Sequence, residues 1–199
     1  IIEELIHENG VSPANIFYLN KEYTAFDLIR TAEDIEKLFR YYLKELAPNG
    51  RVYIFIDEIQ EIENWEYFVS SYAQDYTADY EVIITGSNSN LLSGELSGRL
   101  SGRYIEFSIF PFSLNEYAGI MKSGIDRALF NEYLGTGGLP ELMHLDDEEI
   151  ERHYLESLKS TIILRDIATR YSIKDLSLLE EIFGFMIQNV GNLTSVTSI

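Results

Sequence analysis

Arg51 to Gln60 reads RVYIFIDEIQ, and the rest of the chain is organised around it. Val52 to Ile56 are all apolar, so the run lacks the alternation of a half-exposed strand. A short unbroken apolar run closed by polar chemistry fits a strand buried on both faces of a parallel sheet. Two acids, Asp57 and Glu58, follow at its carboxyl end, where open α/β sheets place their ligands. The plain alternative is that they start a loop or cap a helix. The sharper reading is chemical. A phosphate-bound Mg²⁺ takes one or two carboxylates and keeps several waters. Asp57 on a strand tip would be held rigidly enough for that, and Glu58 could orient or polarise an attacking water.

Working outward, the same pattern recurs. Asn15–Asn20 (NIFYLN) reads as a short strand, Glu81–Thr85 (EVIIT) as a second buried strand and Tyr104–Phe110 as a third. Between them, Thr31 opens a helix, with Glu33 and Asp34 suited to its positive end. Ile35, Leu38, Phe39, Tyr42, Leu43 and Leu46 form its apolar face, and Pro48-Asn49-Gly50 ends it. Trp65–Tyr76 is a further amphipathic helix, and Leu91–Leu100 a glycine-interrupted one. Strands alternating with helices imply right-handed βαβ units in a parallel sheet, an α/β fold.

Beyond Pro111 the pattern becomes all-helical: about Leu114–Met121, Asp126–Leu134, Asp147–Tyr171 and Leu176–Val190. This change of architecture predicts an α/β core over 1–112, a helical lid or small second domain over 113–172 and the start of another segment over 173–199. Tyr133–Glu141 (YLGTGGLPE) is either a hinge or a tight helix–helix turn, and Glu156 with Lys159 reads as a surface ion pair.

Composition narrows the partners. The 199 residues carry a formal net charge of −18, which argues against non-specific attraction to nucleic acid. With no cysteine, disulfides, thiol chemistry and cysteine-zinc sites are excluded. His7, His144 and His153 are too scattered for a metal site. No apolar run reaches membrane-spanning length, so a cytoplasmic protein with no membrane partner is expected.

Two further constellations carry chemistry. The second strand ends in TGSNSN, where Ser87 or Asn88 could hydrogen-bond a terminal phosphate or the attacking water, Asn88 being favoured; a plain turn is the alternative. The tandem LSGR-LSGR then sets Arg99 and Arg103 just ahead of the third strand. Arginine suits planar contact with phosphate, though these two could equally pair with surface acids.

Taken together, IFIDEIQEIENWE, ITGSNSNLLSGELSGR, FSIFPFSLNEY, GGLPE and ILRDI resemble bacterial and archaeal AAA+-type P-loop ATPases whose ATPase domain precedes a winged helix and a nuclease-like domain. The resemblance implies ATP and Mg²⁺ as cofactors, an AAA+-type ATPase core over 1–112, a helical lid over 113–172 and the start of a winged-helix segment over 173–199. It implies that IFIDE is a Walker B element, with Asp57 on the Mg²⁺ side and Glu58 catalytic. Ser87 or Asn88 would be sensor 1. Arg99 or Arg103 would be an arginine finger reaching a neighbouring subunit, which implies a homo-oligomer. No GxxxxGK[ST] occurs in the sequence. In the family that loop lies just before a helix like Ile1–Glu8, so it is expected upstream of Ile1, and these residues alone are expected not to bind ATP tightly. In the family's strand order, 5-1-4-3-2, the missing central strand would separate Glu81–Thr85 from Tyr104–Phe110. A nucleotide-dependent switch with little or no turnover is the alternative function, and a structural domain without nucleotide the third.

Overall fold

The computed structural model describes residues 1–86, 100, 102–169, 171–193 and 195. The chain falls into two compact units, Ile1–Phe107 and Ser108–Ile199.

The first unit is built on three parallel strands: β1 (Ile16–Asn20), β2 (Val52–Asp57) and β3 (Tyr80–Ile84), in the order β1-β2-β3. The central place of β2 follows from its composition. Val52, Ile54 and Ile56 are buried on one face and Phe55 on the other, so only a position between two strands satisfies both its faces and its backbone. Helices α1 (Ile2–His7), α2 (Ala32–Leu46) and α3 (Trp65–Ala73) flank the strands. The Thr31 cap is realised as a capping box with Asp34, and the Thr31 hydroxyl is the main reason that the Asp34 carboxyl lies below its ordinary range. Along α2, Ile35, Phe39 and Tyr42 are buried and Leu38 and Leu43 partly so. Leu46, expected on the same face, is exposed, because the helix ends there with Ala47 in a left-handed conformation.

The core centres on Phe39. Its ring lies 5.0 Å from Phe17, 5.7 Å from Phe68, 4.7 Å from Tyr72 and 5.8 Å from Tyr80, all edge-on, so α2, α3 and the sheet meet at one residue. Two of the phenols at its rim, Tyr42 and Tyr72, are spent on partners. Tyr42 donates to the Ala14 carbonyl at 2.7 Å, and burial pushes it up to about 12. Tyr72 donates to Glu36 at 2.9 Å, and burial with that bond raises it further. At the amino end of the sheet, the buried Asn15 amide donates to the carbonyls of Asn49 (2.7 Å) and Arg51 (2.8 Å), fixing the start of β1 against that of β2.

The expected third strand of the core, Tyr104–Phe110, is not one. These residues join no ladder, and Ile105, Phe107, Ile109 and Phe110 are exposed. Their strand-like composition finds no neighbour among the described residues to supply hydrogen bonds, and a strand needs one. The Leu91–Leu100 helix expected from sequence lies almost wholly outside the described residues.

The second unit contains α4 (Leu114–Ile120), α5 (Arg127–Thr136), α6 (Glu148–Thr161) and α7 (Leu176–Gln188), with α6 running on into a π-helical stretch, Ile162–Thr169. Ser113 and Glu116 make a capping box on α4, and Asp126 caps α5 through the Leu129 amide at 2.8 Å. Tyr117, Ala118 and Leu129 form a small core between these helices. The GGLPE segment is a tight turn. Gly137 has φ +76°, and Gly138 lies so close to the Phe112 backbone that an added Cβ would collide with it. Phe112 donates its N–H to the Gly138 carbonyl at 2.7 Å and accepts from the Tyr133 hydroxyl at 2.7 Å. Lys159 is not paired with Glu156 as expected: its ammonium lies over the Phe183 ring at 5.6 Å, while Glu156 faces His153 at 3.9 Å.

Candidate functional site

The buried strand β2 delivers Asp57 to the carboxyl edge of the sheet, in register with Asn20 of β1. Three backbone bonds lock this edge. The Lys21 N–H donates to the Asp57 carbonyl (3.2 Å), Thr85 N–H to the Ile56 carbonyl (2.9 Å) and Ile59 N–H to the Thr85 carbonyl (3.1 Å). The Thr85 hydroxyl, just past β3, donates to Asp57 Oδ1. Among the described residues nothing donates to the other carboxylate oxygen, Oδ2.

Glu58 turns the chain. It has φ 53° and ψ 48°, left-handed for a residue with a side chain, and it opens a 3₁₀ turn over Ile59–Glu61. Such a conformation costs about 1–3 kcal/mol and persists only where the surroundings impose it. Here they do. Ile59 is wholly buried and Ile62 is 2 % exposed. Burying one such side chain contributes about 1.5–3 kcal/mol, enough to offset the turn. The Gln60 side chain reaches back over this turn, its Nε2 donating to Glu58 Oε2. Gln60 Oε1 is sealed from solvent and accepts from no described residue, an arrangement that costs about 1–3 kcal/mol.

The loop leaving β1 supports the same edge. Lys21 donates its ammonium to the carbonyls of Phe26 (2.8 Å) and Ile29 (2.7 Å), so its charge is used to fold the loop. The buried Asn20 accepts from the Glu22 N–H at 2.7 Å. The loops leaving β1 and β2 are then stitched together by Ala32 N–H to Glu63 O (3.0 Å) and Glu63 N–H to Arg30 O (2.8 Å). The two acids therefore stand on a braced rim.

Asp57 and Glu58 fall where the sequence places them. Ser87, Asn88 and Arg99 lie outside the described residues. Arg103 is exposed; its N–H donates to the carbonyl of the buried Leu100 at 2.9 Å, and it makes no ion pair among the described residues. Thr85 is the residue that sequence reading passed over in favour of Ser87 and Asn88. Its signal was position: it is the first hydroxyl after the apolar run of β3, and Ile84 pairs with Ile56, one residue before Asp57. Among the described residues no three His, Asp or Glu side chains cluster to cage a metal. A cation arriving with phosphates needs no such cage, and one strand-tip carboxylate with an open oxygen fits it.

The AAA domain family model matches residues 1–118, and the chain belongs to that family. A second model, a domain of unknown function, matches residues 127–199. An uncharacterized protein of Haemophilus influenzae is 34 % identical over 202 residues, covering 98 % of this chain and 49 % of the relative. An uncharacterized protein of Methanocaldococcus jannaschii is 31 % identical over 204 residues, covering 92 % of this chain and 45 % of the relative. The chain thus spans about half the length of the curated relatives it matches. No solved structure matches. An AAA-type domain of this kind is a nucleotide-binding, P-loop-like module, and the three-stranded parallel sheet flanked by helices agrees with that fold. Among the described residues no helix is long and apolar enough to cross a membrane.

Proposed function

We propose that the carboxyl edge of β2 is the metal and water side of an ATP-hydrolysing site, and that the full-length protein couples hydrolysis to an effector region. The observation that supports this best is the pairing of Asp57, tethered by Thr85, with Glu58 on an imposed left-handed turn. Asp57 Oδ2 would take the Mg²⁺ or one of its waters, leaving Oδ1 to Thr85 for orientation. A Mg²⁺ held there with ATP would supply neutralising positive charge to the phosphates. Glu58 would accept a proton from the attacking water, and the imposed turn would hold its carboxylate in a constant place relative to that water. Ser87 or Asn88 would contact the terminal phosphate, and Arg99 or Arg103 would reach the nucleotide of a neighbouring subunit in an oligomer.

Steady-state ATP turnover by the full-length protein, with and without Mg²⁺, tests the proposal. Glu58→Gln is expected to lower kcat at least about 100-fold while ATP still binds. Asp57→Asn is expected to weaken the Mg²⁺ dependence of binding as well. Tight Mg²⁺-dependent binding with negligible turnover in both wild type and Glu58→Gln would favour a nucleotide-dependent switch. Wild-type turnover in Glu58→Gln would remove Glu58 from the chemistry.

A further inference from the structure

Gln60 is not absorbed by the roles given to Asp57, Glu58 and Thr85, yet its side-chain amide meets the Glu58 carboxylate across the turn. Its neighbours on either side are spent on the fold. Ile59 is wholly buried, and the turn closes through Glu61 N–H to Glu58 O (3.1 Å) and Ile62 N–H to Ile59 O (3.1 Å). The backbone of residues 58–62 is therefore set without any help from the Gln60 amide.

What the amide does instead is directional. An ionised carboxylate only accepts hydrogen bonds, so it can be met by Nε2 and not by Oε1. Pointing Nε2 at Glu58 leaves Oε1 in a sealed position without a donor among the described residues. Turning the amide over would set oxygen against the carboxylate, which is worse. A buried, donorless carbonyl is uncommon in folded proteins, and a side chain placed only for packing would avoid it. The imposed left-handed backbone of Glu58 falls on the same turn, and such local costs gather where a group is held for function.

We infer that Gln60 is a positioning residue: its side-chain N–H holds the Glu58 carboxylate in the one orientation from which it can take a proton from the attacking water. The role rests on the reading of Glu58 as the water-side acid. Gln60 acts through Glu58 and does not itself meet the nucleotide. Its loss is therefore felt in the chemical step and not in ground-state binding.

The test is a comparison of kcat and KM for ATP in the full-length protein. Gln60→Glu keeps the size and shape of the side chain but replaces the donor with an acceptor; Gln60→His keeps a ring N–H donor. Gln60→Glu is expected to lower kcat about 10- to 100-fold, by analogy with groups that orient a reacting ligand, and to leave KM within about twofold. Gln60→His is expected to recover part of that loss. Thermal melting of each variant identifies any loss due to unfolding, in which case the His variant alone decides through its kcat-to-KM split. Wild-type kcat in Gln60→Glu, a raised KM with unchanged kcat, or equal loss in a folded Gln60→His would overturn the positioning role. Glu58→Gln in the same assay separates the two levels. Loss of turnover there, with normal Gln60→Glu, sinks only the Gln60 inference. Full turnover in Glu58→Gln, or none in wild type, sinks the underlying reading and the Gln60 role with it.

Discussion

The two units use the same local devices and differ in what stands behind them. Each opens a helix with a capping box, Thr31 with Asp34 in the first and Ser113 with Glu116 in the second. Behind the first stands a continuous core in which Leu19, Ile35, Phe39 and Ile54 are wholly buried. Behind the second stands a small cluster of Tyr117, Ala118 and Leu129, with Leu142, Ile163 and Ala168 buried apart from it, and neither α6 nor α7 buries any side chain in its α-helical turns. Caps define where helices start, but burial decides how firmly they are held, because most helical stability comes from packing. The braced rim that carries Asp57 and Glu58 belongs to the unit with the deep core. A site that must hold two carboxylates in fixed places needs that backing.

The sharpest way to break this comparison is to empty the deep core. Phe39→Ala removes the ring on which Phe17, Phe68, Tyr72 and Tyr80 converge, and is expected to cost about 3–5 kcal/mol in urea unfolding. Loss of the proposed nucleotide site should accompany it. In the second unit the strongest response is expected from the backbone. Gly138→Ala forces a Cβ into the Phe112 main chain and is expected to cost about 1–3 kcal/mol, read from the same unfolding curves. If Phe39→Ala were the milder change, the ranking of the two units would be wrong.

How much of this was legible in the sequence differs along the same divide. The β2 run and its two acids were legible because both faces of the strand are apolar and the polarity changes at one residue, Asp57. The α2 face was legible from its spacing and its Thr31 cap. Tyr104–Phe110 has strand-like residues but no ladder, since pairing depends on a neighbour and not on composition. Thr85 was missed because a contact across two parallel strands is set by register, which a single sequence does not display. The Gln60 contact is local, yet it follows from the left-handed turn at Glu58, and nothing in the residue types DEIQ demands such a turn.

The shared caps sharpen the comparison with smaller effects. Thr31→Ala and Ser113→Ala are each expected to cost about 1 kcal/mol, measured by thermal melting. Acid attacks both boxes at once. Bonds from the Thr31 hydroxyl hold Asp34 below its ordinary range, and the Ser113 N–H followed by its hydroxyl does the same for Glu116. A lowered folded-state value means that each contribution is present above the ordinary carboxylate range. It is lost as pH falls through the lowered value. Helicity followed from pH 6 down to about pH 2 is therefore expected to decline on the acid side only, with Thr31→Ala and Ser113→Ala each flattening part of the decline.

The central claim is that Glu58, and not the strand tip in general, serves the water in ATP hydrolysis. Its most direct measurement is the identity of the nucleotide that stays on the full-length protein after incubation with ATP and Mg²⁺, read by denaturing the complex and separating ATP from ADP. Wild type is expected to retain mainly ADP and Glu58→Gln mainly ATP. The same ADP-rich mixture from both proteins would contradict the claim.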